Sequence, residues 1–151
     1  MLELARTHDR EAVEALAQNV HAMLATWRPD LYEPAEVLYT EDRFREAVKQ
    51  RSLYVAKVGQ AVCGYVRMTM RNVDRPGMAK RKIMVVEEFC VDEICRSQGI
   101  GTEMMTEVRA LAKAFRCTDL QLEVYPQNDD AVGFYQKCGF TIRSIEMQRK
   151  V

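Results

Sequence analysis

The chain has 151 residues, with 22 basic and 22 acidic side chains and a formal net charge of zero at pH 7. That length suits one domain, residues 1–151, with a full hydrophobic core. The balanced charge gives no general attraction to nucleic acid or anionic membranes, and no apolar run approaches the roughly 20 residues of a membrane-spanning helix.

The first half of the chain predicts a strand, two helices and a hairpin. Apolar and polar residues alternate where strands are expected and recur at helical spacing where helices are expected. The expected bounds are a strand over 2–5, a helix from a cap at Thr7 or Asp9 to about Leu24, a helix from Thr40 to about Lys49, and a hairpin of 53–58 with 61–70. The segment Trp27–Pro34 contains two prolines and is predicted to be a loop. Its aromatic residues, Trp27 and Tyr32, either seal the core or fold over a substrate cleft.

The second half predicts strands and helices that alternate. The expected bounds are strands over 82–91 and 120–124, helices over about 98–115 and 128–138, and one or two closing strands from Phe140 to about Arg149. Gly139 is the expected C-cap of the last helix. A turn about Pro76 would bring Arg67 near Val85 and Glu87.

These elements predict an α/β fold with one mixed sheet. Strands joined by tight turns must be antiparallel, whereas a strand–helix–strand crossover makes the strands near residues 84 and 124 parallel. The sheet is therefore mostly antiparallel, with helices on both faces.

Cysteine and histidine content argues against a disulfide framework or a zinc site. Five scattered cysteines include no Cys-x-x-Cys pair, and the chain has only two histidines. The N-terminus lacks a basic region followed by a long apolar region, so no signal peptide is expected. We predict reduced thiols, no metal and a cytoplasmic location.

A glycine-rich turn, Arg96-x-x-Gly99-x-Gly101, joins the strand to the helix that follows it. Free backbone N–H groups at a helix N-terminus bind phosphate, and glycine lets the phosphate approach them. The turn is not a dinucleotide fingerprint, which needs a small residue at Met104. It is also not a P-loop, because Gly101-Thr102-Glu103 lacks the required lysine.

The chain resembles the GCN5-related N-acetyltransferase (GNAT) superfamily in two ordered blocks. The first is the Arg96–Gly101 loop, and the second comprises Leu122-Glu-Val-Tyr-Pro-Gln-Asn128 and Ala131-Val-Gly-Phe-Tyr135-Gln-Lys-Cys-Gly-Phe140. The resemblance implies a splayed pair of parallel strands that holds acetyl-CoA and an N-acyltransferase acting by direct transfer in a ternary complex. It implies that the pantetheine arm adds to the backbone of Phe89, Cys90 and Val91. The implied cofactor contacts also include Arg96, Ser97, Gln98, Gly99, Ile100, Gly101, Thr102, Asn128 and Tyr135.

Three side chains are candidates for proton transfer. Tyr135 matches the position of the family's frequent tyrosine acid, although a core aromatic residue is the alternative. The candidate bases are Glu88, placed first, and then Glu123, and structural ion pairing is the alternative for each. Asn128 is either a contact to pantetheine or a plain helix N-cap, or both.

Charge suggests a cationic amine acceptor, either a small molecule or a peptide, because acidic residues cluster around the expected splay. Basic residues between Arg67 and Lys82 form either a solvated hairpin or a surface for an acidic partner. A homodimer is possible. The competing functions are a non-catalytic acyl-CoA-binding sensor or interaction module, and a different phosphate-binding α/β domain.

Overall fold

Five strands that follow one another in chain order form a single sheet, and the computed structural model describes all 151 residues. The strands are β1 (Leu2–Leu4), β2 (Leu53–Val58), β3 (Ala61–Val73), β4 (Arg81–Val91) and β5 (Asp119–Leu122). The first four strands pair antiparallel, whereas β4 and β5 pair parallel. The predicted mixed, mostly antiparallel sheet is confirmed.

Four α-helices cover the two faces of this sheet, as predicted. They are α1 (Arg10–Trp27), α2 (Glu41–Lys49), α3 (Ile100–Ala114) and α4 (Asp129–Lys137). One core lies between the sheet and α1 and α2, and includes Val13 and Phe44. The other lies between the sheet and α3, and includes Met104 and Val108, with partly buried residues of α4 packed against it. No helix combines the length and apolar character needed to cross a membrane.

Local signals explain where α2 and α4 begin. Thr40 Oγ1 accepts a hydrogen bond from the Arg43 N–H at 3.1 Å, and Asn128 Oδ1 accepts one from the Ala131 N–H at 3.2 Å. Acidic residues follow each cap, and their negative charge stabilises the helix by its attraction to the positive end of the helix dipole. The N-cap role considered for Asn128 is therefore present.

The pairing of β3 with β4 differs from the predicted register. Arg67 lies opposite Glu88, rather than near Val85 and Glu87. The turn is centred one residue later than expected, since Val73 pairs with Arg81, and β4 contains one extra residue between the partners of Arg67 and Met68.

The predicted closing strands from Phe140 to about Arg149 do not form. The Phe140 N–H donates to the Tyr135 carbonyl, but residues 141–151 belong to no helix or strand and make no backbone–backbone hydrogen bond. Sequence pattern alone cannot make a strand, because a neighbouring strand must supply the hydrogen bonds. Within one chain, no strand pairs with this segment.

Candidate active site

The strands β4 and β5 pair over only part of the length of β4. Their pairing ends at Val86 and Leu122, whereas β4 continues for five residues, Glu87–Val91. The edge of β4 that faces away from β3 therefore has no strand partner along this stretch. The predicted parting of the two parallel strands is confirmed.

A β-bulge at Glu87 lies where the two strands part. Arg67 pairs with Glu88 and Met68 pairs with Val86, which leaves Glu87 without a partner on β3. A bulge increases the local twist and bends its strand. It also shifts the side-chain alternation, so that Val86 and Phe89 pack in the α3 core while Cys90 packs in the α1 core.

The loop before α3 exposes a run of backbone N–H groups. Ser97 and Gly99 adopt left-handed conformations, with φ of 63° and 80°. None of the N–H groups from Ser97 to Thr102 donates to another protein group. Consecutive free N–H groups at the start of a helix of 15 residues form an anion-binding concavity.

The start of α3, the free end of β4 and α4 converge at Gly101. A methyl group added at Gly101 would lie 3.3 Å from Phe134 Cζ and 3.6 Å from Val91 Cγ2. The Phe134 ring in turn stacks on the Phe89 ring, with centroids 5.8 Å apart. A side chain at this position would press on the Phe134 ring, so α4 packs closely against the N-terminus of α3. The part that Phe134 plays in this contact was not predicted from the sequence, although Phe134 lies directly before Tyr135.

Arg96 connects the loop to the free end of β4. Its Nε donates to the Val91 carbonyl at 3.1 Å, and its Nη1 lies 3.8 Å from Glu93 Oε1. The guanidinium is more than half exposed, which leaves donors available at the mouth of the cleft.

Tyr135 packs among aromatic rings beside this cleft. Its ring contacts those of Phe89, Phe134 and Phe140 edge to face, with centroids 5.4–6.2 Å apart. Its hydroxyl has no hydrogen-bond partner in the protein, and every fully buried polar side-chain atom has one, so the hydroxyl oxygen is not fully buried. Burial of the ring raises the pKa of Tyr135 to about 12. The hydroxyl therefore keeps its proton at neutral pH.

Glu88 lies within a network of donors on the α1 side of β4. Its Oε2 accepts from the Tyr39 hydroxyl at 2.5 Å and from Arg67 Nε at 2.6 Å, and its Oε1 accepts from the Tyr65 hydroxyl at 3.3 Å. Glu88, and not Glu87, is thus the partner of Arg67. Glu87 instead accepts from the Thr69 hydroxyl at 2.6 Å. Sequence reasoning missed Tyr39 and Tyr65, whose contacts with Glu88 depend on the fold.

Glu123 directly follows the last residue of β5. Its side chain is exposed, and it forms no ion pair or hydrogen bond with another side chain. The other carboxylates near the splay have protein partners: Asp92 accepts from the Ile94 N–H at 3.2 Å, and Glu93 pairs with Arg96. Glu123 thus differs from these acidic residues in having no partner within the chain.

The loop after α1 meets the turn after β5. The Tyr32 hydroxyl lies 2.9 Å from the Tyr125 hydroxyl, and this hydrogen bond raises the pKa of Tyr32 to about 12. His21 packs edge to face on Tyr32. Trp27 is the last residue of α1 rather than a loop residue, as had been predicted. Neither Trp27 nor Tyr32 belongs to a core cluster, so these two aromatic residues do not seal the core.

Cys90 does not have the properties of a nucleophile. Its thiol is buried and lies 3.9 Å from the Leu16 carbonyl, and burial raises its pKa to about 11. Thiolate is the reactive form of cysteine, and it is scarce at neutral pH when the pKa is this high.

The basic residues between Arg67 and Lys82 are largely occupied within the chain. Arg71 donates to Gln121 Oε1 at 2.8 Å, Arg81 lies 3.6 Å from Asp119 Oδ2, and Lys82 donates to the Phe115 carbonyl at 2.8 Å. These contacts attach the hairpin to β5 and to the end of α3.

A comparison with protein families adds to this geometry. Residues 17–140 match the model of the acetyltransferase (GNAT) family. The chain belongs to the GNAT family. The match includes the Arg96–Gly101 loop, both parting strands and Tyr135, so the resemblance inferred from two short blocks extends over most of the chain.

Solved structures share the fold of this GNAT protein. A mutant form of the BH1408 protein from Bacillus halodurans is 26% identical, with a TM-score of 0.94, over 100% of this chain and 99% of that chain. A glucosamine-6-phosphate N-acetyltransferase from Arabidopsis thaliana is 16% identical, with a TM-score of 0.65, over 99% and 97%. An aminoglycoside acetyltransferase from an uncultured soil metagenomic sample, in complex with sisomicin, is 12% identical, with a TM-score of 0.67, over 100% and 95%. A transcriptional regulator from Bacillus halodurans C-125 is 21% identical, with a TM-score of 0.74, over 100% and 99%.

The GNAT family generally uses acetyl-CoA, and the residues of this chain fit such a ligand. Six free N–H groups match a pyrophosphate, and the unpaired edge of β4 matches the amides of a pantetheine arm. Tyr135 lies beside that edge, because its ring contacts the ring of Phe89.

Proposed function

We propose that this protein is an N-acetyltransferase that transfers the acetyl group of acetyl-CoA to a primary amine. The observation that carries this proposal is the convergence of three features at one cleft. They are the free N–H groups of the Ser97–Thr102 loop, the unpaired edge of β4, and Tyr135, whose ring contacts Phe89 on that edge. A phosphate-binding loop alone would be equally consistent with a non-catalytic acyl-CoA sensor. A proton donor beside the strand edge favours a catalytic function instead.

In this proposal, acetyl-CoA lies between β4 and β5. The backbone of Phe89–Val91 pairs with its pantetheine arm, and a backbone N–H of this edge stabilises the thioester oxygen as negative charge develops on it. The N–H groups of Gln98–Thr102 hold the pyrophosphate, with Arg96 at the mouth of the cleft. The Asn128 amide nitrogen makes no protein hydrogen bond, so it remains available to pantetheine while Oδ1 caps α4.

The transfer is direct, with no acyl-enzyme. The neutral amine attacks the thioester carbonyl carbon, the new C–N bond forms, the C–S bond breaks, and the attacking nitrogen loses its extra proton to water. The leaving thiolate takes a proton from the Tyr135 hydroxyl, which the raised pKa of Tyr135 keeps protonated at neutral pH. The tyrosinate then regains a proton from water. The buried thiol of Cys90 plays no covalent part.

A protonated alkyl amine has a pKa of about 10.4, so it must lose a proton before it attacks. Three donors already occupy the oxygens of Glu88, which favours a structural role for that residue. Glu123 has no such donors, so we propose it as the base, acting directly or through a water molecule. An exposed carboxylate beside the cleft also suits a cationic acceptor.

The activity is tested with purified protein, acetyl-CoA and a panel of amines, following release of the CoA thiol. The panel contains polyamines, aminoglycosides, amino sugars, peptide N-termini and lysine peptides. We expect saturable thiol release with at least one cationic amine. Tight CoA binding without turnover on any member would contradict the transferase proposal and support an acyl-CoA sensor instead.

A further inference from the structure

The bulge at Glu87 is the least supported point of β4. Every residue of β4 except Glu87 has a partner on β3, and the pairing of β4 with β5 ends at Val86. Glu87 therefore has no strand partner on either side. Because the ladder is disrupted at a bulge, side-chain contacts of the next residue, Glu88, are left to fix the bend of the strand.

One of the three hydrogen bonds to Glu88 comes from outside the sheet. Tyr65 and Arg67 lie on β3, whereas Tyr39 lies directly before the N-cap of α2 and donates at 2.5 Å. Tyr39 is fully buried, and its ring contacts those of Phe44 and Tyr65 edge to face, with centroids 6.3 and 6.2 Å apart. Close packing leaves the ring little freedom, so its hydroxyl has a fixed position.

Helix α1 holds the backbone of Tyr39. Glu14 Oε2 accepts from the Tyr39 N–H at 2.7 Å, and Oε1 of the same carboxylate accepts from the Leu38 N–H at 2.9 Å. Arg10 Nη1 donates to the Tyr39 carbonyl at 3.2 Å. Tyr39 is thus fixed to α1 by its backbone and to Glu88 by its hydroxyl, so it links α1 to the bulge of β4.

We propose that Tyr39 is a positioning residue that acts through Glu88 on the free edge of β4. Its hydroxyl holds the bulge at Glu87 and so sets the direction of the backbone N–H groups of residues 87–91. This inference rests on the proposed function, in which that edge binds the pantetheine arm and stabilises the thioester oxygen.

Steady-state kinetics of Tyr39→Phe tests the positioning role. A small misplacement of groups that contact the reacting atoms lowers the rate strongly, so we expect kcat to fall about tenfold. The pyrophosphate contacts lie on α3, away from the bulge, so the KM for acetyl-CoA and the Kd for CoA should change less than about twofold. Tyr54→Phe, which removes a buried hydroxyl from the other core, is the matched control and should leave all three constants unchanged. A role in stability alone would lower the thermal midpoint of Tyr39→Phe without changing kcat, and that result would overturn the proposal.

A double-mutant cycle shows whether Tyr39 acts through Glu88. Glu88→Ala should lower kcat about tenfold, whereas Glu88→Gln should retain most of it, because its amide oxygen can still accept from the Tyr39 hydroxyl. Tyr39→Phe combined with Glu88→Ala should be about as slow as either single variant, because both remove the same contact. A loss of roughly a hundredfold in the double variant would mean that the two residues act independently. That result, or equal losses in Glu88→Gln and Glu88→Ala, would contradict the proposal.

Hydrogen exchange of the ligand-free protein tests the same contact without turnover. The amides of Glu87–Phe89 should exchange about tenfold faster in Tyr39→Phe than in the unmodified chain, and at the unmodified rate in Tyr54→Phe. Unchanged exchange at these amides in Tyr39→Phe would show that the hydroxyl does not hold the bulge, and would overturn the proposal. Faster exchange in a protein that acetylates no amine would instead contradict the proposed function and not the contact.

Discussion

Tyr135 and Glu88 differ in how much the sequence alone indicates about them. Tyr135 lies in a recognisable local motif, whereas the contacts of Glu88 depend on the fold. The role of Tyr135 stays a prediction from its local motif, and the structure adds that its hydroxyl is unpaired and not fully buried. Glu88 could be recognised as an unusual carboxylate in an apolar strand. Its partners, Tyr39, Tyr65 and Arg67, come from distant parts of the sequence, so its network could not be predicted.

The first prediction concerns the proposed acid. Tyr135→Phe removes only the hydroxyl and should lower kcat about a hundredfold, with little change in the KM for acetyl-CoA. Tyr54→Phe is the matched control, since Tyr54 is another buried tyrosine of the same core. Steady-state thiol release measures both variants, and normal turnover in Tyr135→Phe would remove this residue from the mechanism.

The second prediction separates the two carboxylates. Glu88→Gln should lower the free energy of unfolding by about 1–2 kcal/mol, because it takes the charged partner from Arg67. Glu123→Gln should change that free energy by less than about 0.5 kcal/mol, because the side chain is exposed, but should slow turnover. Urea unfolding and steady-state thiol release measure the two effects. The reverse pattern would make Glu88 the base.

At the scale of elements, a glycine turn and a bulge shape the cleft. The turn could be predicted because its glycines stand together in the sequence, directly before a helix of strong apolar periodicity. The bulge at Glu87 could not, because an extra residue is defined only by how two strands pair, and no glycine or proline marks it. The prediction of closing strands from Phe140 to about Arg149 was wrong for a related reason. A strand pattern in this segment cannot create the neighbouring strand with which it must pair.

The third prediction tests the turn. Gly99→Ala should weaken CoA binding about tenfold and cost about 1 kcal/mol of stability, because φ is 80° at this position and a side chain disfavours it. Gly133→Ala is the control, because a methyl group there meets no atom within 4 Å and the residue lies inside α4. It should leave CoA binding unchanged and raise stability by about 0.5–1 kcal/mol. Calorimetry and thermal melts give both quantities, and equal CoA affinity in the two variants would exclude the turn from the binding site.

At the scale of the whole molecule, buried tyrosines make stability depend on alkaline pH. Burial raises the pKa of Tyr39 and Tyr65, and that of Tyr135 to about 12. Tyrosine in an unfolded chain ionises near pH 10, so the unfolded state loses its protons first. The stability linked to these protonated hydroxyls is complete below pH 10 and is lost as the pH rises toward 12.

The fourth prediction follows from that linkage. Tyrosine ionisation should leave the urea concentration at the midpoint of unfolding unchanged up to about pH 10. Above that pH, the midpoint concentration should fall steeply. Absorbance of tyrosinate, measured in the same samples, should rise together with unfolding. Ionisation of all six tyrosines near pH 10 in the folded protein would show that the hydroxyls are open to bulk solvent.

The proposed function requires acetyl-CoA to bind where β4 and β5 part, with its pyrophosphate on the first turn of α3. This binding site can be located by amide NMR during titration with CoA. We predict that the largest shifts fall on Glu87–Val91 and Ser97–Thr102, and that the basic hairpin at 74–80 is unaffected. Shifts confined to other parts of the sheet, or no shift at saturating CoA, would contradict the account.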